Sequence, residues 1–296
     1  MSSIKSKLVE AALKLVQKRG LTSEKQINRY IASHLSYTPH AKHFRNLNIT
    51  ENNINDYPCF VIKNKEYVND KKIIYIHGGA FILEISFVHW DFIDRLANKT
   101  HATIYVPIYP LSTANRSALE DDYKLLNKIY KELLKSNDSA NITLMGDSAG
   151  GNMALVMAQQ LKLAKLPKPC KIILISPPVD FGTNSIIAKQ LADHDPVLPW
   201  KLLEVCLKWY LRNDDPNKPI YSPTYGDSHD IGMITIFVGD NEGFYAQIEQ
   251  YHKNLLAHNI PHNFVVGKEM FHVYPIFNMR EGEQALNQIE NIINHK

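Results

Sequence analysis

Ile4, Leu8, Ala11, Ala12, Leu15 and Val16 fall on one face of a helical wheel, with Lys5, Lys7, Lys14, Lys18 and Arg19 mostly off it. The pattern predicts an amphipathic helix with Gly20 as C-cap, then a second short helix over Glu24 to Ser36, before Pro39. Two segments with strand character follow, Phe44 to Thr50 and Pro58 to Lys63, and the turn-rich ENNINDY between them suggests an antiparallel pair. From Lys72 the pattern changes. KIIYI is an unbroken apolar run that stops at His77-Gly78-Gly79, as a strand buried on both faces would. Helix Val88 to Lys99, strand Ala102 to Pro107, helix Ala118 to Leu134 and strand Ile142 to Met145 come next. A helix from just after Ser148 to Lys165 and strand Lys171 to Ile175 complete this run.

Between Thr183 and Tyr225 no strand pattern is present, only two helical stretches, Asn184 to Ala192 and Trp200 to Arg212, bracketed by proline-rich segments. Alternation then resumes with strand Met233 to Val238, helix Phe244 to His258, strand Asn263 to Val266 and a last helix from Pro275 to Ile293. Repeated βα units with unbroken apolar strands predict an α/β fold: a mostly parallel central sheet with helices on both faces. Residues 56–182 and 226–296 form the expected core, 1–55 an N-terminal helical cap segment, and 183–225 inserted cap helices. There are no internal repeats and no low-complexity tracts.

The bulk composition narrows the function classes. Formal net charge is only +3 and the signs are mixed along the chain, which does not suggest nucleic acid as a partner. The three cysteines, Cys59, Cys170 and Cys206, are odd in number and far apart, so neither a disulfide framework nor a zinc site is implied and a reducing, cytoplasmic setting is expected. No apolar run reaches the length of a membrane span, and the N-terminus lacks a signal-peptide core, so neither stable insertion nor secretion is expected. The first helix has the composition of one that lies on an anionic membrane, but most such helices pack on their own protein, and that is the expectation here.

The chemistry centres on NITLMGDSAGGNM, Asn141 to Met153, which reads as strand, sharp turn and helix with Ser148 at the turn. A serine hydroxyl becomes a nucleophile when the backbone holds it clear of its neighbours and beside a base, and this turn does so. Chance would give far fewer than one G-x-S-x-G match in a chain with 13 glycines. A phosphate loop is excluded because Asn152 and Met153 stand where Lys and Ser/Thr are required, and a dinucleotide fingerprint because Ser148 replaces its second glycine.

Acyl transfer also needs a base, an acid to hold that base, and N–H donors for the oxyanion, all drawn from loops at the carboxyl ends of the strands. After KIIYI, His77-Gly78-Gly79-Ala80-Phe81 offers backbone donors, so Gly78, Gly79 and Ala149 are the expected oxyanion hole. After strand MITIFV, Asp240 and Glu242 are the candidate acids; either is also suited to an ordinary turn or N-cap. His272 is the histidine between the last strand and the last helix, which gives the chain order Ser, acid, His. His252, His258 and His262 are read as structural. No H-E-x-x-H is present and the grouping of His77, His89 and Asp91 lacks a fourth partner, so no metal is expected.

With these motifs in view, the chain resembles the hormone-sensitive lipase family of α/β-hydrolase serine esterases. The resemblance rests on the H-G-G stretch, the G-D-S-A-G turn, and an acid and a histidine spaced as Glu242 and His272 are. Tyr109 to Asp121, Ser176 to Asp180, Asp195-Pro196 and Ser222-Pro223 fall where that family has related segments. Ala80 stands where the family often has a third glycine, and the stretch after Tyr109 is shorter and lacks an early proline. The resemblance covers the chain from about Lys72 and implies a cofactor-free carboxylesterase acting on small, short-chain acyl esters through an acyl-enzyme. In it Ser148 attacks, His272 shuttles the proton, and Glu242, favoured over Asp240 by the family spacing, orients His272. An amidase or deacetylase would use the same machinery. A ligand-binding protein on the same fold is the rival from another class, as among the family's plant hormone receptor relatives, which lack the histidine that His272 supplies. The expected partner is a small-molecule ester, with a homodimer left open.

Overall fold

The computed structural model describes residues 2–18, 23–33, 36–39, 44–182, 195, 197–198 and 200–295. The Gly20 cap and the helix expected over Asn184 to Ala192 lie outside the described residues. The apolar runs become the centre of one eight-stranded sheet: β1 Leu47–Ile54, β2 Tyr57–Asn64, β3 Lys72–Ile76, β4 Thr103–Pro107, β5 Ile142–Asp147, β6 Lys171–Ile175, β7 Met233–Gly239 and β8 His262–Gly267. Their order is β1-β2-β4-β3-β5-β6-β7-β8. The β1–β2 and β2–β4 pairs are antiparallel and the rest parallel. This is the mostly parallel α/β sheet expected from the alternating pattern, in the α/β-hydrolase arrangement that the resemblance implies.

The described helices are α1 Ile4–Lys18, α2 Glu24–Ser33, α3 Phe87–Thr100, α4 Leu119–Leu134, α5 Ala149–Leu163, α6 Trp200–Leu211, α7 Tyr245–Ala257 and α8 Arg280–Asn294. Two apolar cores lie on opposite faces of the sheet, and single strands feed both. Ile74 and Ile76 of β3, with Ile172 and Leu174 of β6, pack with α4, α5, α6 and α7. The alternate residues Ile73, Tyr75, Ile173 and Ile175 pack with α3 and α8. Burial on both faces is why these strands read as uninterrupted apolar runs. No helix among the described residues is long and apolar enough to cross a membrane.

Three expectations need correction. ENNINDY is mostly strand: Glu51 to Ile54 continue β1, whose polar side chains are tolerated because β1 is an edge strand. Only Asn55 and Asp56 turn, both at positive φ (51° and 66°), as a two-residue hairpin demands. The last helix starts at Arg280, because Tyr274–Ile276 form a separate 3-10 turn. The third concerns α1. Val9 and Leu13 pack on the α3/α8 core and Ser6 is buried, but Ile4 and Leu8 are 82% and 66% exposed, with Ala11 and Ala12 also outward. Ile4, Leu8, Ala11 and Ala12 of the face expected to pack thus face solvent, while the Leu15 and Val16 side chains lie outside the described residues. Contacts at the amino end fix this rotation, since the Ser3 N–H and hydroxyl both donate to the Glu281 carboxylate (2.6 and 2.7 Å) at the start of α8.

Candidate active site

β5 ends at Asp147 and α5 begins at Ala149, so the chain reverses at Ser148 alone, with φ 48° and ψ −121°. A non-glycine residue held there stores about 1–3 kcal/mol of strain. The turn closes only because its flanks lack side chains. A Cβ on Gly146 would lie 2.4 Å from the Gly150 carbonyl, and one on Gly150 would lie 2.0 Å from the Ile76 carbonyl oxygen. The Ser148 N–H donates to the Ile175 carbonyl (2.8 Å), and its Oγ lies 2.8 Å from His272 Nε2.

His272 comes from the loop between β8 and α8, and its Nδ1 lies 3.2 Å from Glu242 Oε1 in the loop after β7. The other carboxylate oxygen, Oε2, accepts from the Ser176 hydroxyl (2.6 Å) and the Gly239 N–H (3.0 Å). Ser176, directly after β6, also accepts from the Val273 N–H (3.0 Å) and so ties the histidine loop to the acid. Four successive strand ends thus deliver Ser148, Ser176, Glu242 and His272 to one point. Glu242 and His272 are buried. Burial alone lowers the His272 pKa. The Glu242 hydrogen bond and charge, followed by the Asp195 and Asp147 charges, outweigh burial, and the net displacement is upward. With Nδ1–H donating to Glu242, Nε2 presents its lone pair to the Ser148 hydroxyl. The alternative acid does not reach this cluster: Asp240 is exposed, and its Oδ1 accepts from the Glu269 N–H (2.5 Å).

The structure alters the expected oxyanion donors. The Gly78 N–H donates to Asp147 Oδ1 (3.0 Å) and is therefore occupied. The same oxygen accepts from the Tyr75 hydroxyl (2.5 Å), while Oδ2 lies 3.1 Å from His89 Nε2, so a buried Asp147 fastens the glycine loop to the serine turn. Among the described residues the N–H groups of Gly79 and Ala80 have no such partner, and that of Ala149 opens α5, where first-turn N–H groups are unpaired. His77 stacks on Tyr109 (4.3 Å between ring centres), and burial pushes its pKa down to about 3, so it is neutral. Asp91 pairs with Arg95 instead of the His77–His89 pair, and the described residues contain no cluster of three metal-ligating side chains.

Beside Ser148 opens a pocket lined by Ala80, Phe81, Phe181, Leu203, Cys206, Leu207 and Phe244, with Asp180 and Gln247 at its polar side. Its roof comes from α6, and among the described residues none of α1 lines it. Phe81 is held by face-to-face stacking on Tyr210 of α6 (3.8 Å) and by an edge contact with Phe181. Asp147, Ser176 and Asp195 escaped the sequence reading as contributors. Asp195 accepts from the Gly243 N–H (2.9 Å), next to Glu242. Asp147 sat in the nucleophile turn without a role, Ser176 and Asp195 in segments noted only for their resemblance, and their separation in the chain from Gly78, Glu242 and Gly243 hides the contacts.

The family model described as alpha/beta hydrolase fold matches residues 73–276. The chain is 29% identical to a triacylglycerol lipase of Mycobacterium tuberculosis over 68% of its own length, which spans only 41% of that relative. It is 27% identical to an esterase of Acinetobacter venetianus, over 73% of this chain and 72% of that one. Among solved structures, an esterase of the bacterial hormone-sensitive lipase family superposes with a TM-score of 0.85 at 20% identity, covering 99% of both chains, a likeness of fold.

Proposed function

The chain belongs to the alpha/beta hydrolase fold family, and from that premise we propose that it is a serine carboxylesterase acting on small, short-chain acyl esters. It is a carboxylic ester hydrolase without a cofactor. The observation that carries the reading is the unbroken relay from Ser148 Oγ to His272 Nε2 (2.8 Å) and from His272 Nδ1 to Glu242 (3.2 Å). His272 takes the proton as Ser148 attacks the ester carbonyl, then returns it to the departing alcohol, leaving an acyl-serine. Water, deprotonated by the same imidazole, releases the acid. Glu242 fixes the tautomer and stabilises the imidazolium. Gly79, Ala80 and Ala149 supply the N–H groups for the oxyanion, and Asp147 holds the loop that carries the first two.

The narrow aromatic pocket under α6 supports short acyl groups, and α6 as its roof supports reading residues 183–225 as a cap. Three free cysteines fit a reducing, cytoplasmic setting. The test is labelling by a fluorophosphonate probe together with a hydrolysis screen over aryl esters of increasing acyl length. Ser148→Ala should lose both labelling and at least ~10³-fold in kcat while remaining folded. Near-normal turnover by that variant would end the reading, and ligand binding without labelling would favour a binding protein on this fold.

A further inference from the structure

Helix α1 has two faces with opposite fates. Ser6, Val9 and Leu13 turn toward α8 and the core beneath it, whereas Ile4, Leu8, Ala11 and Ala12 are exposed. At 100° per residue these four fall within an arc of about 100°, centred roughly opposite Ser6 and Leu13. Exposed lysines border that arc on both sides, Lys5 on one and Lys7 with Lys14 on the other. The helix contains a single acid, Glu10, which sits on the inner side and pairs with Lys14 (2.6 Å). The outward surface is therefore an apolar ridge with a positive border and no carboxylate on it.

The native contacts hold this orientation. Ser3 is bound twice to Glu281, Lys5 donates to Asn278 (3.3 Å), and the Ser6 hydroxyl donates to the Ser3 carbonyl (2.7 Å). Rolling the helix to bury Ile4 and Leu8 would break the contacts to Glu281 and Asn278. The amino end is also tied to the loop that carries His272, because the Ser2 N–H donates to Glu269 (2.9 Å).

We propose that the outward face of α1 is a reversible docking surface for anionic lipid bilayers. Ile4 and Leu8 enter the boundary between headgroups and acyl chains, while Lys5, Lys7 and Lys14 meet the phosphates. The charge border selects this occupant over a second copy of the chain. Any two-fold pairing of the ridge sets lysines against lysines, whereas a headgroup layer supplies the missing negative charge. The proposal goes beyond the esterase reading and does not depend on it, because docking is measured by binding and not by turnover.

The test is co-sedimentation of the full chain with vesicles of equimolar phosphatidylcholine and phosphatidylglycerol, against vesicles of phosphatidylcholine alone. Binding to the anionic vesicles should exceed binding to the neutral ones at least ~tenfold and weaken as salt is raised. Ile4→Gln combined with Leu8→Gln should lower the partition coefficient at least ~tenfold, and Lys7→Glu with Lys14→Glu should abolish the preference for anionic lipid. The Ile4/Leu8 variant should keep the wild-type Tm, the lysine variant should stay folded with a slightly lower Tm because it sets a second carboxylate beside Glu10, and both should keep the wild-type turnover of a soluble aryl ester. Failure of the wild type to sediment with either vesicle would overturn the proposal, as would binding unchanged in the Ile4/Leu8 variant. A concentration-dependent dimer that the same variant dissolves would assign the ridge to a second copy and equally overturn it.

Discussion

Glu242→Gln tests the acid assignment and the geometry behind it together. The buried carboxylate accepts from three donors: the Ser176 hydroxyl (2.6 Å), the Gly239 N–H (3.0 Å) and His272 Nδ1–H (3.2 Å). Glutamine keeps the shape but has one acceptor oxygen. If that oxygen takes the Oε2 place, Gly239 and Ser176 stay satisfied, but the amide NH₂ faces Nδ1 and drives the proton to Nε2, where it blocks transfer from Ser148. If it takes the Oε1 place, the tautomer is right but the NH₂ confronts the Gly239 N–H, and a buried unsatisfied N–H costs about 1–3 kcal/mol. The productive arrangement becomes a roughly 5- to 150-fold minority. It also loses the negative charge that stabilises the imidazolium in the transition state. Together kcat should fall ~10³- to 10⁴-fold with little change in KM, since Glu242 does not reach the substrate pocket. The assay is steady-state hydrolysis of a soluble aryl acetate, with circular dichroism to show that the variant is folded. Asp240→Asn is the counterpart: this exposed side chain bonds the Glu269 N–H, so turnover should stay within a few-fold and stability should drop slightly. The reasoning is refuted if Glu242→Gln keeps more than about a tenth of wild-type kcat. It is equally refuted if folded Asp240→Asn is the inactive one.

The remaining predictions use pH and chain length. His272 must be neutral to act as base and its pKa is displaced upward, so kcat/KM should rise with pH through an apparent value above the ordinary ~6.5; a midpoint below 6 would contradict the Glu242 contribution. Burial pushes Glu84, behind the glycine loop, up to about 7, so the stability contributed by its neutral form is fully present below the ordinary glutamate value and lost as pH rises through about 7. Thermal unfolding of Glu84→Gln should lack that part of the decline, and superimposable Tm profiles for variant and wild type would count against it. Leu207 lines the pocket, so Leu207→Ala should extend the usable acyl chain by one or two carbons, raising kcat/KM about fourfold per accommodated CH₂; an unchanged acyl optimum would remove α6 from the acyl site.

What the sequence conveyed and what it withheld divide along one physical line. KIIYI and KIILI were legible as strands because burial on both faces leaves no polar position to interrupt them, and the glycines around Ser148 were legible because nothing larger fits that turn. The chain order of Ser148, Glu242 and His272 followed from the order of the strand ends. The outward face of α1 was not legible, because its rotation is set by Ser3 and Glu281, 278 positions apart, and helical periodicity finds an apolar face without saying where it points. Of the expected oxyanion donors, Gly78 alone is displaced, for a related reason. Whether the Gly78 N–H is free depends on the Asp147 carboxylate, whose position is known only once β3 and β5 lie side by side. With Gly78 engaged, the proposed donor pair moves one residue along the loop to Gly79 and Ala80. That shift changes the meaning of the alanine. Any residue but proline supplies an N–H, so the exchange for the family's frequent third glycine leaves the donor in place. Its cost falls on the backbone, since Ala80 is held at φ 54°, a conformation glycine adopts without penalty and alanine does not.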